Sequence, residues 1–595
     1  MIAPPPTPPP GEPIFFGPPQ AQLFGWFHAP TGPRRDIVAV ICPPIGFDAI
    51  CSFRSLAVLA EALAAAGIPT TRFDYFGTGN SAGDFRDPSL CDRWRASIHD
   101  AVAQSQARTA SKRVALIGVR AGALLAAAAA GGSALVTDLV LWAAPRSGRH
   151  FVRELRTLAR LAGSDDGQRE DVFEVAGFPM TTGTALALSE LRPPAANVLS
   201  GTRALAIGRD DLPDDPTWPG LLSRAGCDVT TDRTAGTAAM LVEPMSAAPP
   251  GDLIARIVDW ISDGTDQLTD RAVAVDDRPA RGAVAVGITE EAIRFGDRGR
   301  LFGILTRPER PGSRGVIMLS TGAEYHVGPH GTHVESARRL AAQNMPVLRW
   351  DLGGLGESRP PAGAGLDRPY PSYALGDIAM ALAEFRQRTG VATVYLIGIC
   401  SGGWHAFDAA RSGLDVQGIL AVNAPLYLLE GPDFRLQELW EHQEVERYRE
   451  SILDQARVLK ALRGQVNVQH FARVVARRLT ALVRRTVPAA ISRVRLVEEL
   501  STIDRRGIRA HFAFSRRDLG QTYFETRVSP KVARSLPGLG WSVIDNADHT
   551  FRPLSAQDAL RDTVDWFAQA GATMAPSENQ RQVSSSPSRS EISGS

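Results

Sequence analysis

The strongest constraint on this chain is that one structural sentence is written in it twice. Residues 57–84 read AVLAEALAAAGIPTTRFDYFGTGNSAGD and residues 334–361 read VESARRLAAQNMPVLRWDLGGLGESRPP. In both, an amphipathic helical pattern runs into a strand ending in an aromatic-Asp pair, followed by a Gly-x-Gly turn and a serine. An internal repeat is read first because it sets the number of domains. Further on, VALIGVRAGALLAAA from Val114 and VYLIGICSGGWHAF from Val394 are each an apolar strand halted by glycine and restarted as a helix. The turn centres are Arg120 and Cys400, and each is followed 25 residues later by the proline of an Ala-Pro pair, Pro145 and Pro425. A fourth match ends ALAIGRDD at Asp211 and HFAFSRRD at Asp518. Strands alternating with helices predict two tandem α/β domains with mostly parallel, doubly wound sheets. Ligands of such sheets sit at the C-terminal ends of the strands.

The length of 595 residues suits two large cores, and 44% hydrophobic with 22% charged residues is a globular balance. A net charge of +1 offers no field for nucleic acid. Five scattered cysteines form no disulfide framework, which predicts a reducing, cytoplasmic setting. No apolar run is long enough for a transmembrane segment, and no signal-peptide pattern opens the chain. The expected division is a Pro-rich segment 1–13, a first domain 14–263, a polar linker 264–283, a second domain 284–572 and a disordered tail 573–595.

The chemistry concentrates in the second domain. Gly398-Ile399-Cys400-Ser401-Gly402 fits the nucleophile elbow G-x-Nuc-x-G in a strand–turn–helix context. A cysteine opening a helix is accessible, and the helix dipole favours its thiolate. Asp518 in FSRRDLG and His549 in WSVIDNADHTF then supply acid and base in the hydrolase order. Ser401 competes as nucleophile but keeps only half of the glycine flanks. Its backbone N–H suits an oxyanion hole, together with Gly322 or Ala323 in the loop LSTGAEYHVGPHGTH. His326 and His330 of that loop are candidate substrate-binding residues. With His333 they lack a ligand carboxylate at a metal-site spacing, so neither metal nor cofactor is expected.

The first domain departs from this pattern. Arg120 occupies the elbow, and a guanidinium stays protonated and cannot attack a carbonyl. No histidine lies between His150 and His326, so a base is missing near Gly236. This half is expected to be inactive, with Arg120 and Asp211 forming an ion pair or holding an anionic group. The second domain carries instead a long helical insertion, a lid at about 428–503. Its arginines, Arg477 and Arg484 among them, recur between apolar residues at helical spacing. They are read either as a solvated face or as a surface for phosphate, an acyl carrier or anionic lipid, which allows peripheral membrane contact.

Together these motifs resemble α/β-hydrolases of the serine aminopeptidase S33 type. More narrowly, they are similar to the two hydrolases associated with exosortase A systems in exopolysaccharide-producing bacteria. TGAEYHVGPH, LRWDLGGLGES, GICSG and DNADHTF resemble hydrolase 1, whose elbow also carries cysteine. CPPIG, RFDYFGTGNSAGD and GVRAG resemble hydrolase 2, whose elbow carries arginine. The resemblance implies a fusion of two partners and a link to exopolysaccharide or cell-surface export. The expected activity is an ester or thioester hydrolase or acyltransferase using Cys400, His549 and Asp518 on an acyl-bearing small molecule or acyl carrier. The alternative is a non-catalytic binding or assembly protein on the same fold.

Overall fold

In the first module the runs Val38–Cys42 and Val114–Val119 are buried at every position, the signature of strands covered on both faces. The computed structural model describes residues 11–131, 133–162, 171–265, 268–269, 273, 279–431 and 488–570. Here these strands lie at the centre of an eight-stranded sheet. Its order is Glu12–Phe16, Leu23–His28, Thr70–Phe73, Val38–Cys42, Val114–Val119, Val136–Trp142, Arg203–Ile207 and Asp228–Asp232. The first three strands pair antiparallel and all others parallel. Numbered along the chain, the order is 1-2-4-3-5-6-7-8, an α/β-hydrolase sheet. Helices Phe47–Ala65 and Gly251–Asp263 cover one face, around Leu59, Leu63 and Ile257. Leu90–Thr109 and Ala121–Ala130 cover the other, around Trp94, Ile98 and Leu125.

Packing divides the chain into two compact units. The first unit extends to Pro371 and includes 380–391 and 552–554, whereas the second comprises 372–379, 392–551 and the remainder. The first unit thus holds the opening strands of the second module, Arg281–Ala285, Ile288–Phe295, Leu301–Pro308, Val347–Asp351 and Arg314–Leu319, neighbours in that order. The last four repeat the 1-2-4-3 arrangement of the first sheet. The second unit holds Thr393–Ile399, Gly418–Val422, Arg509–Ser515 and Leu539–Ile544, all parallel and in chain order. These correspond to strands 5 to 8. Among the described residues, no helix is long and apolar enough to cross a membrane.

Within the first unit the two copies of the repeated turn grip one another reciprocally. In the repeat, Arg72 corresponds to Arg349, Asp74 to Asp351, Asn80 to Glu357 and Ser81 to Ser358. Arg72 pairs with Glu357 at 2.5 Å, and Arg349 Nη1 donates to Asn80 Oδ1 at 2.9 Å. Each Asp packs on the second glycine of its turn, where an added Cβ would lie 2.2 Å from Asp74 at Gly79 and 2.4 Å from Asp351 at Gly356. Position i thus meets position j and the counterpart of j meets the counterpart of i, as in an isologous dimer interface. An apolar cluster of Phe24, Trp26, Phe302 and Ile304 backs the pair, with the Trp26 and Phe302 rings 4.6 Å apart. Glu290 is fully buried beneath it and accepts from Arg349 and Arg338, both at 3.0 Å.

Candidate active site

Cys400 is the single residue between strand Thr393–Ile399 and helix Ser401–Ser412, at φ 53° and ψ −115°. Its N–H donates to the Val422 carbonyl at 2.8 Å and its carbonyl accepts from Trp404 N–H at 3.0 Å. Those bonds hold a conformation that a side-chain-bearing residue adopts only at a cost. A Cβ at position 398 would come 2.2 Å from the Gly402 carbonyl carbon, so the approach to this turn demands glycine. The cysteine is partly exposed, whereas the rival nucleophile Ser401 is 1% exposed.

Asp518 sits at the end of strand Arg509–Ser515 and caps helix Leu519–Arg527. One carboxylate oxygen accepts from Gly520 N–H at 2.7 Å and the other faces His549 Nδ1 at 2.6 Å. The cap therefore fixes the carboxylate that orients the imidazole. The Cys400 side chain also acts on the His549 imidazole electrostatically. Desolvation lowers the histidine's pKa, but Asp518 and Cys400 outweigh it and push the value up to about 10. At neutral pH the imidazole is thus charged. Burial raises the thiols of Cys42 far up, of Cys51 to about 12, and of Cys91 and Cys227 to about 11.

Two residues not singled out from the sequence complete the site. Asn423, fully buried at the end of strand Gly418–Val422, donates from Nδ2 to the His549 carbonyl at 2.8 Å and to Ser515 Oγ at 3.1 Å. Its Oδ1 accepts from Ser515 N–H at 2.7 Å. It ties the base loop to the acid strand. The sequence signal was an amide in the otherwise apolar run LAVNAP. Tyr427 has its hydroxyl pushed up to about 12, chiefly by burial, with Asp518 and Cys400 adding to it.

No family model matches the chain, and no curated protein matches it either. Solved structures do. An α/β serine hydrolase of Xanthomonas campestris described as lacking a lid is 16% identical, covering 44% of this chain and 97% of its own, with a TM-score of 0.29. An esterase of Pyrococcus furiosus is 12% identical over 48% of this chain and 91% of its own, TM-score 0.30. Est1E of Butyrivibrio proteoclasticus with bound ferulic acid is 14% identical over 42% and 98%, TM-score 0.32.

Arg120 holds the elbow of the first module at φ 53° and ψ −122°, nearly the backbone of Cys400. Contrary to the expected pairing with Asp211, its Nε donates to Asp48 at 3.0 Å and its Nη2 to Glu154 at 2.6 Å. Asp211 is instead chelated by Arg209 through both oxygens, at 2.8 and 2.6 Å, because that arginine is only two residues away. Where the base is missing, Asp210 accepts from the N–H groups of Gly236 and Ala238 at 2.8 and 2.9 Å. A carboxylate–backbone clasp replaces the carboxylate–imidazole bond. The position matching Asn423, two residues before the Ala-Pro proline, is Ala143.

The loop histidines are corrected as well. His326, expected to contact substrate, is 1% exposed; Nδ1 faces Asp351 at 2.9 Å and Nε2 faces Asn80 at 3.0 Å. It is a strut in the reciprocal interface, continuing the chain from Arg349 through Asn80. His330 stacks edge-on against Phe178 of the first module at 5.6 Å, and His333 is 5% exposed. Gly322, a proposed oxyanion donor, lies at φ 55° in the turn after Arg314–Leu319, with Ala323 next to it. The expected lid falls largely in 432–487, so Arg477 and Arg484 lie outside the described residues.

Proposed function

We propose that the second module is a thiol-dependent acyl hydrolase or acyltransferase acting on an ester or thioester. The observation that carries this reading is the Asp518–His549 bond at 2.6 Å in a module whose strand–turn–helix elbow carries Cys400 at φ 53°. The three residues follow one another in the chain in the order nucleophile, acid and base that an α/β-hydrolase triad uses. In this scheme Cys400 Sγ bonds to the acyl carbon. The tetrahedral oxyanion is met by the Ser401 N–H. As the C–O or C–S bond breaks, imidazolium His549 gives its proton to the leaving oxygen or sulfur. Water or another acceptor then attacks the acyl-enzyme and returns a proton to His549, regenerating the pair.

A purely binding role would not need an imidazole so charged and so aimed, which favours the enzyme reading. The first module is proposed to be non-hydrolytic, since Arg120 replaces the nucleophile. Acyl carriers as substrates, and a link to exopolysaccharide or surface export, rest on the motif resemblance. The test is labelling of the full chain with a thiol-reactive acyl probe, followed by mapping of the modified residue. Modification at Cys400 with loss of p-nitrophenyl or thioester turnover is expected. Labelling elsewhere, with turnover retained in Cys400→Ala, would sink the assignment.

A further inference from the structure

The first module has lost its nucleophile and base but has not closed its cleft. A cavity of about 840 Å³ remains over the C-terminal ends of its strands, within the size range of small-molecule sites. Leu141, Ile207, Leu212 and Trp218 line it along with Arg120 and Arg209. Trp218 is fixed there by a hydrogen bond from Nε1 to the Pro145 carbonyl at 2.7 Å.

The buried cation in this lining is Arg120, whose side chain is 7% exposed, against 27% for Asp48 and 33% for Glu154. Asp48 and Glu154 engage Nε and Nη2, and among the described residues Nη1 has no hydrogen-bond partner. Arg120 also immediately precedes helix Ala121–Ala130, whose first N–H groups and dipole favour negative charge. The strained elbow is still held: Arg120 N–H donates to the Trp142 carbonyl at 2.9 Å, and a Cβ at Gly122 would come 2.3 Å from the Cys42 carbonyl oxygen. Keeping a costly backbone to present a guanidinium, where no attack is made, points to recognition. The ion pairs at the cleft's edge, such as Arg146 with Asp215, are solvent-exposed and cost little to rearrange around an entering anion.

We propose that this cleft binds a small amphiphilic carboxylate, its head taken by Arg120 at the start of the helix and its aliphatic body laid against Leu141, Ile207 and Trp218. A carboxylate oxygen can accept from Arg120 Nη1, the guanidinium nitrogen that Asp48 and Glu154 leave over, and the apolar wall selects a hydrocarbon body over a bare anion. The proposal is independent of the chemistry at Cys400.

The test is calorimetric titration of the full chain with octanoate, octanol, octylamine and inorganic phosphate. Octanoate is expected to bind at least tenfold more tightly than any of the other three. Ala144→Trp, which places an indole in the cleft, is expected to weaken octanoate at least tenfold with an unchanged unfolding midpoint. Arg120→Gln should abolish the preference for octanoate over octanol, and Arg120→Lys should keep part of it. Octanoate binding unaffected by Ala144→Trp, equal affinity for octanol, equal affinity for phosphate, or no octanoate binding would each overturn the proposal.

Discussion

Asn423 donates its side-chain amide to the backbone carbonyl of His549 at 2.8 Å, across 126 residues of sequence. The same amide group closes on Ser515 through both its nitrogen and its oxygen. One buried side chain thus joins strand Arg509–Ser515 to the loop that carries His549. Asn423→Ala should leave three backbone or hydroxyl groups without their partner, at roughly 1–3 kcal/mol for the most buried of them. The expected outcome is a fall in kcat of about tenfold or more with little change in KM, together with a lower pKa of His549 by NMR. An unaltered His549 titration and kcat would show that the loop is held without it.

Cys400→Ala should remove turnover by on the order of 10³ or more, since members of such a unit act together. Replacing Cys42, Cys91 or Cys227 should leave it almost intact. Their thiols are held up by burial, at about 11 for Cys91 and Cys227 and higher for Cys42, so iodoacetamide at pH 7.5 should modify Cys400 first. Peptide mapping after brief alkylation decides this; preferential labelling of Cys227 would count against the assignment.

The imidazole of His549 is raised to about 10 from an ordinary 6.5, with Asp518 and Cys400 overcoming desolvation. A raised folded-state value favours the folded chain below pH 6.5, and that contribution is lost as pH rises toward 10. The side chain is 48% exposed, so the effect on stability is small and the effect on rate is the better readout. Turnover should therefore fall as the pH passes about 10. Asp518→Asn should move that descending limb to lower pH and cost roughly 10³–10⁴ in kcat. A pH–rate profile whose upper limb does not move in Asp518→Asn would refute the pairing.

The strand–turn–helix around Cys400 and the strand end before Asp518 were legible because each lies in a short motif where local order and fold order coincide. Asn423 was not, because its role depends on a contact with His549 that no local spacing encodes. The loop histidines misled for a related reason. In an isolated module the loop after Arg314–Leu319 would border the substrate, but here its Tyr325 stacks on Phe53 at 3.8 Å and His326 reaches Asn80, both in the first module. The repeat announced two copies of one sheet. That the copies would bind each other through Arg72 and Glu357, 285 residues apart, was visible only in the fold.

Acid sensitivity should trace to two histidines held neutral. Desolvation, helped by nearby arginines, brings His333 and His511 down to about 3. The unfolded chain takes up protons at each near 6.5 while the folded chain does not, so stability is full above that pH and falls between 6.5 and 3. By pH 4.5 the loss should be roughly 2–3 kcal/mol per histidine. Asp74, raised to about 6 by burial, works in the opposite sense and offsets part of it. Urea unfolding at pH 7 and 4.5 checks this: His511→Asn should lose less stability on acidification than the parent, and an equal loss would assign the effect elsewhere.

The reciprocal interface makes the two modules depend on each other for stability, not only for proximity. A fragment beginning at residue 279 would expose Phe302 and Ile304, which are fully buried against Phe24 and Trp26. It would also strip Asn80 from both Arg349 and His326, and Arg72 from Glu357. Arg349 and Glu290 would then sit near a surface with half their network missing, and breaking buried ion pairs from one side costs about 3–5 kcal/mol. In the full chain, Arg349→Met should lower stability by a similar amount because it takes one of two paired arginines from buried Glu290, leaving Arg338 and the Thr306 hydroxyl. Expressed separately, the fragment 279–595 should aggregate, and co-expression with residues 11–265 should return it to solution as a one-to-one complex. A soluble, monomeric fragment with an unfolding midpoint equal to that of the full chain would show that the interface contributes nothing to either module's stability.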